Sequence, residues 1–214
     1  MMQFLDRAMA RLRAWDSSIA AAALLGMVLI PFIEVLLRPI QGSGIENAPV
    51  VVQHLGLLFS LAGAVYAERT GHLTSLGSLW KEFHSPLSKK IARAFVFLSS
   101  SLLCGVLALG SHDLVMSEIE SGQVIAYGVP TWVFLCALPL GFCALAIQLG
   151  QKWHDHWVIQ WAGMLAVWFM VVPVNAWLID ATISTTLASF FLLCLLILGG
   201  PVFLVLAGLS WILF

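Results

Sequence analysis

The sequence predicts an all-α polytopic membrane protein with about six transmembrane helices, added amphipathic interfacial helices and both termini in the cytoplasm. Three observations carry that expectation. Charge-free apolar runs cover residues 17–33, 48–67, 94–111, 121–151, 157–179 and 181–214. A helix needs roughly 20 such residues to cross about 30 Å of hydrocarbon, so the first and third runs are near the lower limit and the fourth and sixth exceed it. Nine of the ten Lys and Arg residues fall on one side of this pattern: Arg7, Arg11, Arg13, Arg69, Lys81, Lys89, Lys90, Arg93 and Lys152, with Arg38 the exception. Cytoplasmic loops retain basic residues, which orients the chain. Finally, 61% of residues are hydrophobic and 10% charged, with a mean hydropathy of +0.98. The runs are apolar all round rather than along one stripe, unlike the helices of a soluble core.

These features also exclude several classes. There is no basic stripe for nucleic acid. The four cysteines, Cys104, Cys136, Cys143 and Cys194, lie inside apolar runs without metal-ligand spacing and read as small hydrophobes. No nucleophile triad, zinc-peptidase motif or nucleotide-binding glycine loop appears, so the expectation is a non-enzyme without cofactor or metal.

Residues 1–16 read as an amphipathic helix, with Phe4, Ala8, Leu12 and Trp15 at helical spacing and Arg7 and Arg11 opposite. Span one follows and ends near Arg38 and Pro39, before a Gly42-Ser43-Gly44 outer loop. Glu34 and Arg38 lie four apart, in the favourable order for a helical ion pair. A polar contact to another helix or an ion site is the alternative at that depth. In the inner loop after span two, Leu73, Leu76, Trp80 and Phe83 share one helical face, a candidate interfacial helix that Pro86 would stop. The outer loop after span three carries Asp113, Glu118 and Glu120. Span four opens near Pro130-Thr131-Trp132 and contains Pro139, which can kink it. His154-Asp155-His156 alternate around a helix and make a poor metal set. His54 and His112 fall near one membrane boundary and could ligate a haem, the electron-transfer alternative to a transport role.

At this point the order of features resembles the small permease (DctQ-like) subunit of tripartite ATP-independent periplasmic (TRAP) transporters, over residues 16–151. Arg38 closing span one and Glu46 opening span two match that family's pattern. So do Leu61-Ala62-Gly63-Ala64 followed by Arg69-Thr70-Gly71-His72-Leu73, and Gly128-Val129-Pro130-Thr131-Trp132 followed by Ala137-Leu138-Pro139. Two departures stand out. Asn47 occupies the place of a second acid, and Thr74 and Ser75 stand where an Asp is common. Leu198-Gly199-Gly200-Pro201-Val202 looks like the opening helix of the large permease subunit. The organisation expected is therefore an amphipathic helix over 1–16, a four-helix small-permease-like domain over 17–152, a linker transmembrane helix over 153–180 and a large-permease-like transmembrane helix over 181–214.

The resemblance implies a non-catalytic scaffold in the bacterial inner membrane. Its partners would be a large permease subunit (DctM-like), a periplasmic substrate-binding protein and the lipid bilayer. The assembly would import organic acids such as dicarboxylates or sugar acids, driven by an ion gradient. Glu34, Arg38, Glu46, Arg69, His72, Pro130, Trp132 and Pro139 are the interface or structural candidates.

Overall fold

Pro86 heads a 36-residue helix for a local reason. Its missing N–H is no loss in a first turn, and Ser85 caps that turn, its carbonyl accepting from Lys89 N (3.1 Å) and Ser88 Oγ (2.8 Å). The computed structural model describes residues 2–41, 44–70, 85–152, 157–180 and 185–213. In chain order the elements are α1 (Met2–Gln41), α2 (Ala48–Thr70), α3 (Pro86–Ser121), β1 (Val124–Ala126), β2 (Val129–Pro130), α4 (Thr131–Leu135), α5 (Ala137–Gln151), α6 (Trp157–Asp180), α7 (Thr185–Leu198) and α8 (Val202–Leu213). Among the described residues, four helical stretches are long and apolar enough to cross a membrane, within α1, α2, α3 and α4–α5. Gln160–Pro173 and Ser189–Leu198 are shorter apolar stretches.

Several boundaries differ from expectation. The helix expected over residues 1–16 is continuous with span one, because no Gly or Pro interrupts the chain before Gly26. Span three extends well beyond residues 94–111. A charge-free run marks only the lipid-facing part, and the charged ends with Lys89, Lys90 and Arg93 or Asp113, Glu118 and Glu120 continue the same helix. Span four opens at Thr131, where Pro130-Thr131-Trp132 put it, although its charge-free run starts at residue 121. Residues 121–130 form a turn and a β-hairpin, which accounts for the surplus length of that run. The single helix expected over 181–214 is two, α7 and α8, broken at Gly199-Gly200-Pro201. The candidate interfacial helix with Leu73, Leu76, Trp80 and Phe83 lies outside the described residues, as does His72.

The chain forms two compact units. The first is Met1–Thr70 with Gly110–Gly141. There α1 and α2 meet where each presents a glycine to the other. A Cβ on Gly26 would sit 3.0 Å from Leu55, and one on Gly56 would sit 3.5 Å from Met27. Small residues let transmembrane backbones approach in this way. Farther along α2, Leu61 packs on Gly141, 3.0 Å from the position of a Cβ.

The second unit is Gly71–Leu109 with Phe142–Phe214. Its centre is α3, where Ser101 donates to the Ala146 carbonyl of α5 (2.7 Å) and Gly105 receives Val171 of α6. Cys104, Leu145, Leu195 and Leu204 are fully buried there. Arg93 Nε donates to the carbonyl of Lys152 (2.8 Å), placing a cation where α5 leaves carbonyls unsatisfied.

Candidate functional site

The residues that the sequence reading singled out gather mostly at one end of the first unit, where α1 finishes and α2 begins. Glu34 and Arg38 form a helical ion pair, with Arg38 Nη2 2.6 Å from Glu34 Oε1. The Arg38 side chain is 69% exposed and that of Glu34 is 16% exposed, so the guanidinium caps a carboxylate that sits deeper on the helix. Gly44 returns onto this pair. A Cβ there would lie 3.0 Å from Glu34 Cγ and 3.5 Å from Arg38 Nε, so any larger residue would have to push the Glu34 side chain aside by a few tenths of an ångström.

Two residues later the loop meets the β-hairpin. Its strands pair antiparallel, Val124 with Pro130 and Ala126 with Val129, and Thr131 N donates back to the Gln123 carbonyl (3.0 Å). Tyr127 and Gly128 form the tip, with φ of 49° and 79°. Positive φ at both central positions is the type I′ condition that matches the twist of two strands. Asn-Gly usually fills such a turn; a tyrosine in the left-handed region is uncommon and strained. What holds it is Glu46. Tyr127 N donates to Glu46 Oε2 (3.2 Å), and Glu46 N donates to the Tyr127 hydroxyl (3.3 Å). Asn47, itself at φ 48°, donates from Nδ2 to the Ile125 carbonyl (2.6 Å). Three hydrogen bonds thus tie the α1–α2 corner to the hairpin across some eighty residues of sequence.

Pro130 ends β2, and Trp132 sits in α4, where its carbonyl accepts from Cys136 N (2.9 Å). Pro139 has no N–H to donate to Leu135, four residues before it, and the helix is interrupted at Cys136. Arg69 stands in the last turn of α2, beside a buried Glu68, away from the corner.

The two histidines are engaged separately. His54 Nδ1 lies 2.8 Å from the Val50 carbonyl, with its ring edge-on to Phe134. His112 is exposed, 3.4 Å from Asp113. Nothing here supports the haem alternative, and no cluster of three metal-ligating side chains occurs among the described residues. At the corner, the described side chains hydrogen-bond to backbone and display the Glu34–Arg38 pair.

Sequence reasoning had Glu46 but missed Tyr127, Asn47 and Gly44. The available signal was Tyr-Gly followed by Val-Pro, a turn signature inside what reads as one long apolar run.

The family model of the DctQ component of tripartite ATP-independent periplasmic transporters matches residues 27–159. This chain belongs to the DctQ family. Its match takes in the α1–α2 corner, the hairpin, and α2 through α5, so the geometry above is that of a TRAP transporter small permease, a membrane protein of a transport system. The large-permease resemblance of residues 181–214 lies outside the matched segment. Searches of curated proteins and of solved structures found no match.

Proposed function

We propose that this DctQ-family chain is a non-catalytic scaffold that gives a large, DctM-like permease a fixed frame in the bacterial inner membrane. The complete system would receive organic acids, such as dicarboxylates or sugar acids, from a periplasmic binding protein. An ion gradient would drive uptake. The basic residues on one side of the spans support an N-terminus in the cytoplasm, which would put the Glu46–Tyr127 corner at the periplasmic face. Among the residues of this chain, Glu34, Arg38, Glu46, Pro130 and Trp132 would present or brace the subunit interface there. Arg69, His72 and Pro139 would act from within or below the spans.

The observation that carries this reading is the family match over 27–159, joined to the exposed apolar side chains along α1. On α1, Leu25, Val28, Phe32 and Leu36 are all more than half exposed. Such a surface is made to lie against lipid and another membrane subunit.

The test is affinity purification of the tagged chain from native membranes, with mass spectrometry of what accompanies it. A large multi-span permease should co-purify. Arg38→Ala and Glu46→Ala should reduce that recovery several-fold while leaving membrane insertion unchanged. Undiminished recovery with both variants would remove the corner from the interface.

A further inference from the structure

We propose that residues 185–213 form a re-entrant hairpin, which enters and leaves the membrane on the face where α6 ends, instead of crossing it. Within the second unit, α6 runs in the same direction as α3. Gly150 packs between Ser101 and Met164, and farther along both helices Gly105 packs on Val171. From 24 residues α6 rises about 36 Å, enough to cross. Only residues 181–184 join Asp180 to Thr185, and such a link reaches at most about 18 Å. The chain therefore begins α7 on the face where it finished α6.

With 14 residues, α7 rises about 21 Å, short of the roughly 30 Å hydrocarbon layer. At its end the chain reverses. Gly199 N donates to the Leu196 carbonyl (3.1 Å) and Gly200 N to the Leu195 carbonyl (2.8 Å), with Gly199 at φ 110°. This pair of bonds is a Schellman motif, which ends a helix while satisfying its last carbonyls. Pro201 has no N–H, and its carbonyl accepts from Leu204 (3.1 Å). Beyond it α8 lies antiparallel on α7. A Cβ on Gly208 would be 3.0 Å from Leu192, and the two residues stand at near-equal distances from the turn.

The depth of the turn follows from its surroundings. A connection at a membrane surface is polar and wet. Gly200 and Pro201 are buried, Leu195 and Leu204 beside them are completely so, and residues 181–214 carry no charge. A reversal whose glycine N–H groups are both bonded, and which has a proline in place of a third donor, can remain in an apolar layer. It follows that Leu213 heads back toward the periplasmic face, not to the cytoplasmic exit that six full crossings would give.

The test is side-specific labelling of the full chain in cells and in inverted membrane vesicles with a membrane-impermeant maleimide. The unsubstituted chain gives the baseline for its native cysteines. Thr185→Cys and a cysteine appended after Phe214 should react from the same face. Val202→Cys, at the half-buried turn, should react from neither. Reaction of the appended cysteine from the face opposite Thr185→Cys would overturn the proposal, as would reaction of Val202→Cys from that opposite face. The first two probes leave the turn untouched, so they report even where Val202→Cys disturbs it. The inference rests on the membrane placement of the chain and goes beyond its role as a subunit. Failure to co-purify a large permease would undo that role without changing these labels.

Discussion

The Glu46 carboxylate accepts the backbone N–H of Tyr127 at 3.2 Å, while the Tyr127 hydroxyl accepts the backbone N–H of Glu46 at 3.3 Å. Each residue satisfies the other's main chain, so the link fixes two backbones and not merely two side chains. A hairpin of three- and two-residue strands has little stability alone. Glu46 supplies part of what is missing.

Glu46→Ala should therefore loosen the hairpin, while Glu46→Gln keeps an acceptor and should be milder. The site is exposed, so the expected loss for the alanine is about 1 kcal/mol. Heat-induced loss of the monodisperse peak in detergent would report it, with the order wild type, Gln, Ala. Equal thermal stability of all three would show that the pair does not hold the turn.

Asn47 makes a sharper case, because it stands where the family pattern often has a second acid. Its amide donates to the Ile125 carbonyl at 2.6 Å, and a carboxylate at that place has nothing to donate. Asn47→Asp should lower stability by about 1–3 kcal/mol, since two oxygens would then face each other. Asn47→Gly keeps the positive φ and loses only the bond, so it should fall between the two. A stable Asp variant would mean that the carbonyl finds another donor.

Gly128 separates backbone freedom from packing. A Cβ there would meet nothing within 4 Å, yet φ is 79°. Gly128→Ala should still destabilise by about 1 kcal/mol, entirely through conformational strain. Gly63→Ala, also in open space but inside α2, should be neutral or slightly stabilising because alanine favours helix. The same thermal assay distinguishes the two, and a loss at Gly63 alone would invert the argument.

What the sequence could and could not show follows the same physics. Charge-free runs located α1, α2, α3, α5 and α6 because lipid demands continuous apolar helix. The Glu34–Arg38 pair was legible because four residues is one helical turn. Tyr127 and Asn47 were not, since their partners are about eighty residues away and depend on how the helices return. The break at Gly199-Gly200-Pro201 was visible as letters, but an apolar run of that length reads as one helix until its packing is known. The corner's acid was found through a family pattern, and its partner only through geometry.

The contact of Gly105 with Val171 tests how closely α3 and α6 must approach. A Cβ at Gly105 would lie 2.6 Å from Val171 Cγ2, and Val171 is 2% exposed, so it has little room to withdraw. Gly105→Ala should force the helices apart at a loss of about 1–3 kcal/mol. Val171→Ala alone should cost less, by leaving a small cavity, and the double variant should recover much of what Gly105→Ala loses. Residues in direct contact show such non-additivity, whereas distant ones do not. The cycle can be read from unfolding in mixed detergent micelles. Strict additivity of the two changes would mean that α3 and α6 do not meet at this point, and the direction assigned to α6 would lose one of its two supports.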